Sequence, residues 1–226
     1  MPVDFLSDEQ ATRYGRYTGE PSPEQFDRYF HLSDSDHALI LPRRRDHNKL
    51  GFALQLCTLR FLGCFLTKPL EVPGSVVRVL AAQLGVRTTT LPMYLDRGPT
   101  RHEHQRLIRH ALGYQDFEGM EVFSLTRWLY AQLELGDPRP SVLFDLATAR
   151  LVRRKVVLPG ASTLARLITR VRERTSTALW RTLSRRLSPN QGVALEALLV
   201  RLEDHPLTPL ERLRATPTRT TAAGLV

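Results

Sequence analysis

Lysine is scarce in this chain. Of its 32 basic residues only Lys49, Lys68 and Lys155 are lysines, so nearly all the positive charge is arginine. Cysteine is scarcer: Cys57 and Cys64 make up the total of 2. That excludes a disulfide framework and suits a reducing cytoplasm. The pair lies on one face of an expected helix, without C-x-x-C spacing or a local histidine, and reads as core filler. Long apolar runs are missing too. Leu50–Leu66 is interrupted by Gln55, Thr58 and Arg60, short of the roughly 18 unbroken residues of a membrane span. The opening MPVDFLSDEQ has no basic start and no apolar core, so it is not a secretory signal. The only β candidate is Val156-Val157-Leu158, too short to found a sheet. This argues against P-loop, dinucleotide-binding and nuclease folds, whose sites need strands.

What is present points to a globular, soluble chain of one or two domains. It has 226 residues, 42% apolar and 24% charged, enough to bury a core. The net charge is +9 and it is unevenly placed. Residues 1–40 carry net −5, residues 41–136 net +5 and residues 137–226 net +9. A basic field that grows toward one end suits a polyanion, above all nucleic acid. Solvated helix faces would give the same total.

The chain reads as all-α. Ser7-Asp8-Glu9-Gln10 is a capping-box pattern opening a helix to about Tyr17. Ser22-Pro23-Glu24-Gln25 and Ser33-Asp34-Ser35-Asp36 open two more. From Asp46 or Asn48 a strong helix is expected to about Leu66, with Leu50, Ala53, Leu54, Cys57 and Phe61 at helical spacing. Further helices read at about 74–84, 90–97, 100–112, 121–135, 141–155, 162–187 and 189–204. Breaks at Pro69–Pro73 and Gly136–Pro140 divide the chain. The expected modules are 1–68, 73–136 and 141–205, followed by a tail at 206–226 with a short helix near Pro209–Arg214.

The most specific local pattern is LAAQLGVRTTTLPMY, Leu80–Tyr94. A helix-turn-helix needs a small residue where its helices touch (Ala81), a turn glycine (Gly85), an apolar residue next (Val86) and later inward apolar residues (Leu91, Tyr94). The second helix would present Arg87, Thr88, Thr89 and Thr90 to base edges in the major groove. Pro92 must then fall in its first turn. Two ordinary helices joined at a glycine would share the pattern. Arg97 and Arg101 extend the same basic surface.

Two more basic clusters could contact phosphate. Arg43-Arg44-Arg45 and Lys49 lie at the start of the strong helix, where they could clamp a phosphate or probe a minor groove. Arg153-Arg154-Lys155 ends one helix; Ser162 or Thr163 then caps another that carries Arg166, Arg170 and Arg174 on one face. A free helix N-terminus beside arginines suits phosphate. Solvated loops and faces are the plain alternatives. His102-Glu103-His104 does not share one helix face and lacks zincin spacing, so surface histidines are expected. Neither G-x-S-x-G nor a Walker sequence occurs, and no converging carboxylate set is seen. No catalytic residue, metal or cofactor is expected.

FLSDEQATRYGRYTGEPSPEQFDRYFHLSDSD, RRRDHNKLGFALQLCTLRFLGCFL, LAAQLGV, TRHEHQRLIRHALGYQDF, LPGASTLARLITRVRER with Leu179-Trp180, and PLTPLERLRATPTR follow one another along the chain. In this order they resemble the N-terminal region of replicative transposases of the Tn-three family. The resemblance covers essentially the whole chain. It implies small helical modules that recognise transposon terminal inverted repeats. It also implies a magnesium-dependent Asp-Asp-Glu domain with an RNase H-like sheet, far downstream in much longer chains. This sequence ends before such a region, so no strand transfer by it alone is expected; it would be a truncated copy, a split gene product or a deliberate fragment. The helix-turn-helix role falls on Ala81–Arg97, and a DNA-contact role on the helix beginning at Ser162.

Together these features describe tandem helical modules that bind double-stranded DNA sequence-specifically in the bacterial cytoplasm, on the nucleoid. A rival reading is a protein-interaction fragment that pairs with itself or with full-length transposase. An apolar face on the helix over 162–187 motivates it. A small helical nuclease or hydrolase is a third, supported only by the presence of histidines and carboxylates.

Overall fold

The computed structural model describes residues 6, 10, 13–66, 71–95, 98–201 and 206–214. Among these residues the chain is all-α, with eleven α-helices and no strand. They are α1 (Pro23–Gln25), running on as a π-helical segment Phe26–Phe30, α2 (Asp34–Ile40), α3 (Asp46–Leu62) and α4 (Gly74–Leu84). A 3-10 turn at Thr88–Thr90 leads to α5 (Pro92–Leu95), α6 (Gly98–Leu112), α7 (Gly119–Leu135) and α8 (Pro140–Arg153). Then come α9 (Ala161–Arg186), α10 (Pro189–Ala197) and α11 (Pro209–Arg214). The helix expected from Ser7 lies largely outside the described residues; Gln10 and Arg13 are helical. Two compact units divide the chain, Met1–Glu173 and Arg174–Val226.

The first unit is organised by α3. Leu50–Leu59 of this helix are all buried, which an amphipathic surface helix would not show. Neighbours cover it all round: α2 and the π segment, α4, and the stretch from Thr88 through α6. It stops at Leu62, short of the expected Leu66, because Gly63 takes a left-handed conformation (φ 74°) and turns the chain. Asp36 fixes α2 against it. Its carboxylate closes the Ser33 capping box and receives both Arg60 guanidinium arms, one at 2.8 Å. Gln83 likewise ties α4 to the end of the π segment, accepting from Leu32 N and donating to Phe30 O, each at 2.8 Å.

A second apolar cluster joins Cys64 with α7, α8 and the start of α9. The segment Lys155–Leu158 links it to the first. Gln115 N donates to Lys155 O (2.8 Å), Val157 N to Gln115 O (2.9 Å) and Leu158 N to Gly63 O (2.9 Å). In extended backbone alternate side chains face opposite ways. Accordingly Val156 and Leu158 enter the second cluster and Val157 the first. Cys57 and Cys64 are buried free thiols, and burial pushes them up to about 12 and about 11. They are core filler.

In the second unit, Ser188 and Gln191 form a reciprocal capping box that starts α10. The helix ends at Ala197, before the expected 204. Leu198, Leu199 and Val200 bond back only three residues, so the last turn tightens and the helix closes. The short helix near Pro209–Arg214 is present as expected.

Candidate nucleic-acid interface

At the end of α4, Val86 N donates to Ala81 O (3.0 Å) and Gly85 N to Ala82 O (3.3 Å). This double bond pattern is a Schellman cap, and it needs the left-handed φ of +65° that Gly85 supplies. The chain then runs extended through Arg87 into the Thr88–Thr90 turn, and Pro92 opens α5. Proline sits where its missing N–H costs nothing. Leu91 and Tyr94 are buried, as the pattern required, while Arg87, Thr88 and Thr89 are exposed. Thr90 turns its hydroxyl back to Arg87 O at 2.8 Å. The helical stretch is broken into two short pieces, whereas the spacing suggested one helix over 90–97. Arg97 lies outside the described residues.

Tyr94 holds this segment against α3. A Cβ on Gly51 would come within 2.3–2.5 Å of the Tyr94 ring, so only glycine admits the ring there. The Tyr94 hydroxyl and His104 Nδ1 are 3.1 Å apart, and the two rings stack. His104 also meets the Phe52 ring edge-on, with centroids 5.0 Å apart. The Arg43 guanidinium lies over the other partner in this chain, Phe52, at 5.5 Å. Burial and the Arg43 charge, opposed by Glu103, lower His104 to about 4. His104 is thus a neutral core histidine, which corrects its reading as a surface residue; His102 is exposed as expected. Periodicity could have found it, since His104, Ile108 and Leu112 recur at four-residue spacing.

Through this stack the Arg43–Arg45 loop and the Arg87–Tyr94 segment, far apart in sequence, anchor on one end of α3. Arg44 and Arg45 are exposed. Arg45 carries a positive φ of 70°, a conformation that costs a residue with a Cβ. Lys49 is partly engaged by Asp46 at 3.9 Å. Arg101, on the first half of α6, lies close enough to Tyr94 to act on its hydroxyl electrostatically.

The third cluster lies at the other end of α6. Lys155 has a positive φ of 54° and donates to Leu112 O at 3.2 Å, capping that helix. α8 ends at Arg153, so Lys155 stands outside the helix the spacing gave it. Arg154 grips Glu121 with two bonds, at 3.1 and 3.3 Å. Arg153 is exposed. From Arg101 to Leu112 is about 16 Å along the helix axis. Between them His102, Arg106 and His110 are exposed, and Arg106 was missed by sequence reasoning because no turn or cap marks it.

α9 begins at Ala161, one residue ahead of the expected cap, with Gly160 O accepting from Thr163 N and Leu164 N. Ser162 and Thr163 therefore lie in its first turn, both exposed. Arg166 and Arg170 are exposed on the side away from buried Leu164, Ala165 and Ile168. Arg166 bends back to Ser162 O at 3.1 Å. Among the described residues no group of three or more His, Cys, Asp or Glu could hold a metal ion.

A family model, Domain of unknown function (DUF4158), matches residues 5–171. The transposase for transposon gamma-delta of Escherichia coli (strain K12) is 44% identical over 219 residues, covering 96% of this chain and 22% of that protein. The transposase for transposon Tn501 of Pseudomonas aeruginosa is 31% identical over 208 residues, 92% of this chain and 21% of its own length. The transposase for transposon Tn1546 of Enterococcus faecium is 31% identical over 178 residues, 79% and 18% respectively. The chain spans about a fifth of the length of these curated relatives. It therefore belongs to the DUF4158 family and is homologous to the N-terminal fifth of transposases of the Tn-three family.

Proposed function

We propose that this chain binds double-stranded DNA sequence-specifically and recognises the terminal inverted repeats of a transposon, as the end-reading part of a transposase in the bacterial cytoplasm. The observation that carries the reading is the shared anchorage of two basic segments on α3. It lets exposed Arg44, Arg45, Arg87, Thr88 and Thr89 face one ligand, with no ion pair among the described residues to compete. The helix-turn-helix role belongs to α4 and the segment through α5, with Arg87 and the threonines at base edges. Arg153, Arg166 and Arg170 supply phosphate contacts that hold the duplex irrespective of sequence. The separation of about 16 Å across α6 suits backbone contacts on both sides of a major groove about 12 Å wide. Recognition, not strand transfer, is the role of these residues.

Fluorescence anisotropy across a salt series tests this, with the inverted repeat of the source element and a shuffled duplex as probes. The expected result is a preference of tenfold or more, about 1.4 kcal/mol, that survives added salt. Equal affinities that vanish together with salt would reduce the basic surface to a generic anchor. Absence of binding at low salt would reject the reading.

A further inference from the structure

Turn tips are usually built from glycine, proline, asparagine, aspartate and serine, which suit a sharp backbone in water. The turn between α2 and α3 departs from this. Arg43 N donates to Ile40 O at 2.9 Å, which puts Leu41 and Pro42 at its tip. Leu41 is 61% exposed, and Pro42 is exposed beside it. The tip is rigidly mounted. Ile40, on one side, is fully buried in the first apolar cluster. Arg43, on the other, lies over the buried Phe52 ring at 5.5 Å. Pro42 fixes its own φ. Exposed Arg44 and Arg45 follow directly.

The size and charge of this tip identify what it meets. Protein interfaces bury about 800 Å² on each partner, far more than one leucine and one proline offer. Two exposed arginines beside the tip draw a polyanion. A B-DNA minor groove is about 6 Å wide, too narrow for a helix but open to a two-residue tip. Leucine and proline are among the side chains that enter base steps from that groove, part the stacked bases and kink the duplex by about 20–90°. A wedge of this kind must be stiff, since a mobile side chain would fold away rather than hold two bases apart. The anchors at Ile40 and Phe52 meet that need.

We propose that Leu41, backed by Pro42, is an apolar wedge that enters a minor groove of the bound repeat, opens one base step and kinks the duplex, while Arg44 and Arg45 hold the flanking phosphates. This rests on the proposed recognition of duplex DNA and adds an activity to it: the chain bends the DNA it binds. The wedge stands on the same end of α3 as the Arg87–Tyr94 segment, through the Phe52, His104 and Tyr94 rings. Reading and bending thus act on one stretch of duplex. TA and CA/TG steps kink most easily. The wedge therefore selects a pyrimidine–purine step by its deformability, where no polar side chain touches a base.

Energy transfer tests this, with the full chain saturating the inverted repeat of the source element, end-labelled with donor and acceptor dyes. Saturation makes the reading independent of affinity. A bend of about 20° or more is expected. 2-Aminopurine placed in turn at each adenine of both strands should brighten at one step and stay dark at the others. Leu41→Ser should remove both signals with a urea midpoint near that of the wild type. Leu41→Phe, still a wedge, should keep them. A wild-type complex that is straight and dark at every position would overturn the proposal. So would a Leu41→Ser chain that bends the repeat as the wild type does, since the bend would then come from other contacts. In both cases anisotropy would still read the preference for the cognate repeat, so a failed wedge is told apart from failed recognition.

Discussion

Arg45 shows how a single residue can serve two ends at once. Its backbone holds a positive φ of 70° at the start of α3, where its carbonyl accepts the Asn48 and Lys49 N–H groups. Glycine would adopt this conformation without strain. Arg45→Gly is therefore expected to stabilise the fold by about 1 kcal/mol, while lowering the slope of log affinity against log salt by about 1 as one phosphate contact is lost. Urea melts and the anisotropy salt series read the two effects separately. Asp36 is the reverse case, wholly structural. Burial alone would raise its carboxyl, but the Arg60 and Ser33 hydrogen bonds outweigh it and hold it below the usual carboxylate range. Asp36→Asn leaves Arg60 half-buried without its counter-charge and should cost about 2 to 3 kcal/mol in urea unfolding.

At the scale of elements, the segment from Arg87 to Tyr94 is a small piece held by one ring in one notch. Gly51→Ala pushes a methyl into the Tyr94 ring and should cost about 1 to 3 kcal/mol. Tyr94→Leu in the same chain should recover part of that cost, giving a coupling above about 1 kcal/mol in a double-mutant cycle. Division of labour between elements is equally testable. Arg87→Ala should erode the preference for the cognate repeat. Arg166→Ala with Arg170→Ala should weaken all duplexes alike and flatten the salt slope. Identical behaviour of the two variants would show that this split of roles is wrong. Much of the site's local construction was legible in sequence: Ala81, Gly85, Val86, Leu91, Tyr94 and Pro92 each occupy the position their chemistry suggested. So were the caps at Ser22 and Ser33, because a cap is decided within four residues. The notch at Gly51 and the Asp36–Arg60 pair were not. Each depends on residues brought together across tens of positions, which periodicity does not encode. The fate of Arg154 and Lys155 was hidden for the same reason, since Glu121 and the Leu112 carbonyl reach them only through the fold.

For the molecule as a whole, pH acts through His104. An unfolded histidine takes its proton near pH 6.5, while this one, lowered to about 4, stays neutral in the fold. Between those values the unfolded chain binds more protons, so stability must fall as pH drops from about 6.5 toward 4, by up to about 3 kcal/mol. Above pH 7 His104 contributes no slope. Urea midpoints at pH 7 and 4.5 check this, and His104→Asn should flatten the difference. The Lys155–Leu158 segment sets how that loss is felt. Its neighbouring side chains lie in different apolar clusters, and its amides bond to Gln115 and Gly63. Neither cluster can come apart without withdrawing a valine or a leucine from the other. Heating should therefore melt residues 13–173 in one cooperative step, with a single heat-capacity peak whose calorimetric and van't Hoff enthalpies agree. Val157→Gly, which cuts the shared thread, should split that peak in two.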